Sequence, residues 1–272
     1  MGRFFAYFSA QYFPFPAQTE SVCSRKGGDT LKKNIRGWLL ASAGILSIAC
    51  ALFSLSRSAV PTGGGLQLPL DGTPPMVAIT FDDGPRGSTT NRLLDALALR
   101  EVPATFFLVG TRIPGNEALI HRMKAEGHQI GVHSYSHIFL TALSAADFEF
   151  EVGQTRMQLS NILGNQPFWL RPPYGIVDES VQKRADSPII LWSVDPEDWK
   201  DHNTQRMVEV VLSKVSDGDI ILFHDIYDSS VDAAIQVVDA LLEQGYCFAT
   251  AEQLLQAKGV SVKDGALYRR AK

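Results

Sequence analysis

Met76-Val77-Ala78-Ile79-Thr80-Phe81-Asp82-Asp83-Gly84-Pro85 is the stretch on which the reading of this chain turns. Its first six residues are apolar or β-branched and read as a strand, and its last four read as the turn that ends one. Successive side chains leaving a strand point in different directions, so the two carboxylates reach different targets, one suited to a cation and the other to a proton. Standing alone, Asp-Asp-Gly-Pro reads more simply as a turn. The downstream sequence decides between these readings.

Working outward, short apolar runs recur at 105–109, 129–132, 168–170, 189–194, 219–223 and 247–250, which with 77–81 makes seven candidate strands. Amphipathic stretches at 91–100, 117–126, 144–163, 204–215 and 231–244 lie between them, several closed by Gly127, Gly164 or Gly245. Strand alternating with helix implies parallel strands joined by helical crossovers, an α/β fold. An open doubly wound sheet and a closed barrel both satisfy that alternation. The polar residues favour the barrel: Asp82-Asp83, His133, Arg171, Asp195 to Asp198 and His224 each follow a different run. Parallel barrels gather their chemistry at the C-terminal ends of many strands, whereas an open sheet concentrates it at one switch point.

Each of these clusters has a chemical reading. His133 and His137 in HSYSH are spaced to put two imidazoles on one face of a helix or tight turn. With a strand-end carboxylate they leave a coordination position open for water, the arrangement of a metal-assisted hydrolase. In Arg171-Pro172-Pro173-Tyr174-Gly175 the prolines, Pro172 among them, stiffen the backbone so that a main-chain N–H can be aimed at a developing oxyanion. Asp195-Pro196-Glu197-Asp198-Trp199 brings acids and an indole to the same rim, though Asp195 followed by Pro196 also fits a plain helix N-cap. His224 ends a run that reads as buried and, near a carboxylate, suits a general acid. His121, His128 and His202 sit in helical or loop contexts and are assigned no chemical role.

The motifs TFDDGP, HSYSH, RPPYG, DPEDW and LFH, in this order over about residues 76–255, resemble the five motifs of the polysaccharide deacetylase family, the NodB homology domain of carbohydrate esterases. That resemblance implies a distorted parallel (β/α) barrel of about seven strands. It implies that Asp83, His133 and His137 bind a divalent metal, most often zinc, with cobalt or nickel as alternatives. It implies that Asp82 is the general base on water, that Arg171 holds Asp82, and that the N–H of Tyr174 helps to stabilise the oxyanion. His224 then protonates the departing amine, Asp198 tunes His224, and Trp199 faces the sugar. The activity implied is hydrolytic N-deacetylation of a cell-wall glycan, with N-acetylglucosamine of peptidoglycan the first expectation. Chitin-oligosaccharide or N-acetylmuramic acid deacetylation, xylan O-acetyl esterase activity, and a wall-glycan binder without catalysis are the alternatives.

The remainder of the chain bears on location. Residues 37–56, GWLLASAGILSIACALFSLS, carry no charge over about the length of a membrane span, and Arg25, Lys26, Lys32, Lys33 and Arg36 precede them. The expectation is a cytoplasmic segment 1–36, a transmembrane anchor or signal helix at 37–56, a Pro/Gly-rich linker at 57–75, a catalytic domain at 76–258 and a tail at 259–272. The domain then acts outside the cytoplasm, anchored to the membrane or secreted. A formal net charge of -4 among 272 residues gives no basic surface for nucleic acid. Of the cysteines at 23, 50 and 247, one falls within the expected domain, so the domain has no internal disulfide framework. Nothing in the pattern calls for an obligate protein partner.

Overall fold

The computed structural model describes residues 73–272. The strands in it are β1 (Met76–Asp82), β2 (Thr105–Leu108), β3 (Gln129–Val132), β4 (Ile189–Ile190), β5 (Ile220–His224), β6 (Cys247–Phe248) and β7 (Leu267–Tyr268). The helices are α1 (Gly87–Leu99), α2 (Glu117–Ala125), α3 (Ala145–Leu163), α4 (Glu179–Arg184), α5 (Thr204–Lys214), α6 (Asp228–Glu243) and α7 (Ala251–Ala257). β1 is central: β2 and β5 pair with it in parallel, β3 pairs with β2, and β6 pairs with the first two residues of β1.

Period-two alternation places the chemistry. Val77, Ile79 and Phe81 of β1 join the core that α1 and α6 cover, while Ala78 joins a second cluster with Phe107, Ile190 and Ile220. Thr80 and Asp82 share the parity of Ala78 and therefore the inner face. Along β5 the same rule puts Ile220, Leu222 and His224 on that face, and the register sets His224 beside Asp82. Gly131 of β3 has no room for a side chain there, because a Cβ would meet the Phe107 ring at 2.6 Å and the carbonyl oxygen of Trp169 at 2.7 Å.

The parallel α/β class expected from the sequence is what the ladders show; a continuous closed barrel is not. The ladders form an open five-stranded parallel sheet, ordered β3-β2-β1-β5 with β6 on β1, and a separate parallel pair of β4 and β7. Single parallel bridges run between them, from Val132 to Leu170, Leu170 to Ile189 and Val194 to Ile221. The run at 168–170 stays a one-residue bridge because prolines at 167, 172 and 173 deny it a longer row of donors. The run at 189–194 yields only a two-residue strand because the amides of Ser193 and Val194 both turn to the carbonyl of Ile220, which bulges the chain.

Three elements fall where the sequence was read otherwise. The run at 247–250 ends early because Thr250 caps α7, its hydroxyl accepting from the Gln253 amide in a reciprocal capping box. α4, only 6 residues long, lies in a segment with no helical reading. Within 259–272, read as a tail, β7 pairs with β4, and the Ala271 amide donates to the carbonyl of Gly218. The apolar segment 37–56 lies outside the described residues, and among the described residues no helix is long and apolar enough to cross a membrane.

Candidate active site

At the end of β1 the fully buried Arg171 organises the inner face. One terminal nitrogen donates to Asp82 Oδ1 and to Thr80 Oγ1, both at 2.8 Å, Nε donates to the carbonyl of Ile190, and the other terminal nitrogen donates to that of Leu191. The guanidinium lies 4.1 Å from the Phe107 ring centroid, a cation–π contact that offsets part of its desolvation. Burial pushes Arg171 below its ordinary pKa and Asp82 opposes that. The pair costs desolvation and is retained for what it orients: Oδ1 of Asp82 is held while Oδ2 faces His133 at 3.6 Å.

Asp83, His133 and His137 converge beside it. One ligand atom from each lies within 4.8 Å of the others. Asp83 Oδ1 stands 3.1 Å from His137 Nε2 and 3.6 Å from His133 Nε2. Donors on a four-coordinate ion with bonds of ~2.0–2.2 Å stand roughly 3.3–3.6 Å apart, so the 3.6 Å spacing fits and the 3.1 Å spacing falls slightly short of it. His133 Nδ1 lies 2.7 Å from the carbonyl oxygen of Arg171; a carbonyl only accepts, so the proton sits on Nδ1 and the Nε2 lone pair is free. Burial pushes the His133 pKa down, favouring the neutral ligand form, although Asp82 and Asp83 oppose it. Asp83 Oδ1 is buried and makes no hydrogen bond, which is a missing partner of the kind a cation supplies. Burial would raise the Asp83 pKa, but His137 beside it, with the His133 and His224 rings around it, holds it well below the usual carboxylate range.

An Asp–His pair faces this cluster. The fully buried Asp198 accepts from His224 Nδ1 at 2.7 Å and from the His224 main-chain N–H at 2.8 Å. Burial by itself would lower His224, but Asp198, with Asp82 and Asp83 behind it, reverses the sign and pushes its pKa up to about 9. His224 is thus a protonated ring on the neighbouring strand to Asp82.

The loops that carry these groups are strained. Asp83, Ser134, His137, Tyr174 and Glu197 have φ between 52° and 71°, and they make up five of the six non-glycine residues with positive φ among those described. Such backbone persists where surrounding contacts over-determine it, and here it follows the strand ends. HSYSH is accordingly no helix: Ser134 and His137 take left-handed backbone, and the Ser134 hydroxyl accepts from the His137 amide. The loop is fixed by Glu151 of α3, whose carboxylate accepts from the amides of Tyr135 and Ser136 and from the Ser136 hydroxyl. Asp195 starts no helix either and accepts instead from the Glu197 amide and the Trp192 indole. Tyr174 follows the buried Pro172 and Pro173, is half exposed, and its hydroxyl donates to the His137 carbonyl at 3.3 Å. Trp199 is exposed on the loop after Val194.

Sequence reasoning missed Glu151 and Asp225. Glu151 shares the buried face of α3 with Phe148, Val152, Thr155 and Leu159, so a charged residue at an apolar position was the available signal. Asp225, directly after His224, is fully buried and accepts from the Thr90 hydroxyl, with one carboxylate oxygen unpartnered. Burial raises its pKa to about 7. A groove of about 520 Å³ lined by residues including Asn165, Phe168, Ser187 and Val262 lies toward the starts of the strands and holds none of the site residues.

Fold and donor set together define a class: parallel α/β proteins with a candidate two-histidine, one-carboxylate centre at their strand ends. The sequence profile of the polysaccharide deacetylase family matches residues 70–187. Peptidoglycan-N-acetylmuramic acid deacetylase PdaC of Bacillus subtilis is 40% identical over 183 residues, which cover 67% of this chain and 39% of that protein. Peptidoglycan-N-acetylglucosamine deacetylase PgdA of Listeria monocytogenes is 38% identical over 192 residues, 71% of this chain and 41% of that protein. The solved structure of the Bacillus subtilis PdaC deacetylase superposes with a TM-score of 0.67 at 40% identity, covering 68% of this chain and 92% of that one. The chain belongs to the polysaccharide deacetylase family, and it spans about two fifths of the length of these two curated relatives.

Proposed function

We propose that this protein is a metal-dependent N-deacetylase of a cell-wall glycan, acting on N-acetylglucosamine of peptidoglycan. The observation that carries the reading is the convergence of Asp83, His133 and His137 next to two carboxylates with opposite partners, Asp82 on Arg171 and Asp198 on His224. Asp83, His133 and His137 hold a divalent ion, zinc before cobalt or nickel because imidazole and carboxylate suit borderline metals. When bound, that ion supplies Lewis acidity to the amide oxygen and to the attacking water. Asp82 accepts the water proton at Oδ2 while Arg171 keeps Oδ1 occupied. The Tyr174 main-chain N–H, fixed by Pro172 and Pro173, donates to the oxyanion. His224 gives its proton to the nitrogen as the C–N bond breaks, and Asp198 keeps that proton in place until then. Water's oxygen ends on carbon as acetate, and the sugar is left with a free amine.

The N-acetylmuramic acid unit is the second reading, because the 40% identical PdaC carries that substrate in its name. Trp199 is the aromatic contact proposed for the sugar on the Asp198 side. With the charge-free segment at 37–56, we place the activity outside the cytoplasm, anchored to the membrane or secreted. Acetate release by the full chain from purified peptidoglycan, chitin oligomers and acetylated xylan, before and after chelation, tests the reading. Release from peptidoglycan that stops on chelation and returns with zinc is expected. Glycan binding without acetate release from any of the three overturns it in favour of a binding protein.

A further inference from the structure

Nine large hydrophobic side chains are exposed among the described residues, and four of them, Ile138, Phe139, Tyr174 and Ile176, lie on the two loops that carry His137 and the RPPYG segment. Phe139 and Tyr174 are each about half exposed, and their ring centroids are 4.3 Å apart at an interplanar angle of 31°. The Tyr174 ring meets the His137 ring edge-on at 4.7 Å. The two aromatics therefore make a shelf continuous with the donor cluster, on the side of His137, while Trp199 belongs to the loop that carries Asp198. The fold gains little from leaving them in water, and each half-exposed ring forgoes part of the roughly 1.5–3 kcal/mol that full burial gives.

We infer that Phe139 and Tyr174 form a subsite that stacks the pyranose ring of a glycan unit next to the one whose acetyl group is removed. Two observations select a sugar as the occupant. The shelf adjoins the reacting centre, so the neighbouring unit of a glycan held there is the group that reaches it. Its exposed surface is aromatic and uncharged, matching the apolar C–H face of a pyranose, whose weakly positive hydrogens meet the negative face of a ring. Tyr174 is already tied to His137 through its hydroxyl, so Phe139 is the half of the shelf free to vary with the glycan. It touches none of the reacting atoms and determines specificity for chain length.

This inference rests on the proposed glycan deacetylase reading, and its test separates the two. Acetate release by the zinc-loaded full chain is compared on the tetramer and the dimer of N-acetylglucosamine for wild type, Phe139→Ala and Phe139→Trp. The expected result is a rise of about tenfold in KM for the tetramer with Phe139→Ala, kcat within about twofold, a much smaller change on the dimer, and recovery with Phe139→Trp, on the scale of one aromatic stacking contact. Equal losses on both lengths, or a loss in kcat in place of KM, overturn the subsite. If wild type releases no acetate at all, the deacetylase reading fails, and calorimetric titration of the tetramer into metal-stripped protein decides the shelf separately. There, about tenfold weaker binding in Phe139→Ala supports it and unchanged binding overturns it.

Discussion

His128 and His224 are histidines at opposite ends of the two outer strands of the β3-β2-β1-β5 order, both withdrawn from water, and their surroundings drive them in opposite directions. His128 precedes β3, accepts the Ala104 N–H at Nδ1 over 3.0 Å, and sits edge-on to the Phe106 ring at 5.3 Å. Burial lowers its pKa to about 4, and the nearby Glu126 only partly opposes that. His224 ends β5 and is also pushed down by burial, yet Asp198, locked to it through both Nδ1 and the main chain, carries it up to about 9. Burial alone makes a histidine a neutral structural acceptor. A buried carboxylate held against it makes the ring a store of one proton at neutral pH.

The sharpest way to break this contrast is at Asp82, the acceptor on the strand next to His224. Asp82→Asn keeps an oxygen for Arg171 but removes the basic site, and turnover is expected to fall by about a thousandfold or more with metal content unchanged by elemental analysis. Retained turnover refutes the base assignment. Next in size, His224→Ala is expected to cost about 10²–10⁴ in kcat, the usual contribution of a positioned acid, whereas His128→Gln should leave kcat near wild type in the folded fraction. Similar losses in both would erase the distinction between the two rings. Asp198→Asn then removes the hydrogen-bonded charge that raises His224. Its pKa falls toward the ordinary 6.5, so the alkaline limb of the kcat profile is expected to move down by more than about one pH unit. An unmoved limb assigns the proton to another group.

How much of this contrast was legible in the sequence depends on the length of the signal each residue carries. Asp82, Asp83, His133 and His224 stood out because they follow apolar runs of four or more, which fix both strand and parity, while Arg171 follows a run of only three. The joins beyond β3 were not legible. Leu170 bridges two neighbours as a single residue, β4 and β7 are 2 residues each, and pairing that short is decided by which carbonyls remain unclaimed nearby. The backbone of HSYSH stayed open between a helix and a tight turn for a related reason. Four-residue spacing describes a helix face and a left-handed loop equally well, and what selects the loop is Glu151, in a helix after the motif, whose carboxylate collects the Tyr135 and Ser136 amides. The roles of the two histidines were assigned from their neighbours in sequence, but the His224 shift takes its direction from Asp198, 26 residues away, and the His128 shift from burial, its Nδ1 accepting from the Ala104 amide 24 residues away.

The smallest effect expected is thermodynamic, and it carries opposite signs at the two rings. His128 takes its proton at about 4 when folded and near 6.5 when unfolded, so the unfolded chain binds the proton first as the medium is acidified. Its contribution to stability is complete above pH 6.5 and drains as the pH falls toward about 4, by on the order of 3 kcal/mol. His224 runs the other way: its contribution is complete below pH 6.5 and is lost as the pH rises through about 9. Urea unfolding of the metal-stripped chain between pH 4 and 9 reads both limbs. His128→Gln is expected to flatten the acid limb and leave the alkaline one, and Asp198→Asn to do the reverse. If His128→Gln leaves the acid limb as steep as in wild type, the His128 ring is not held neutral by its burial, and the acid sensitivity belongs to the carboxylates at the other end of the strands.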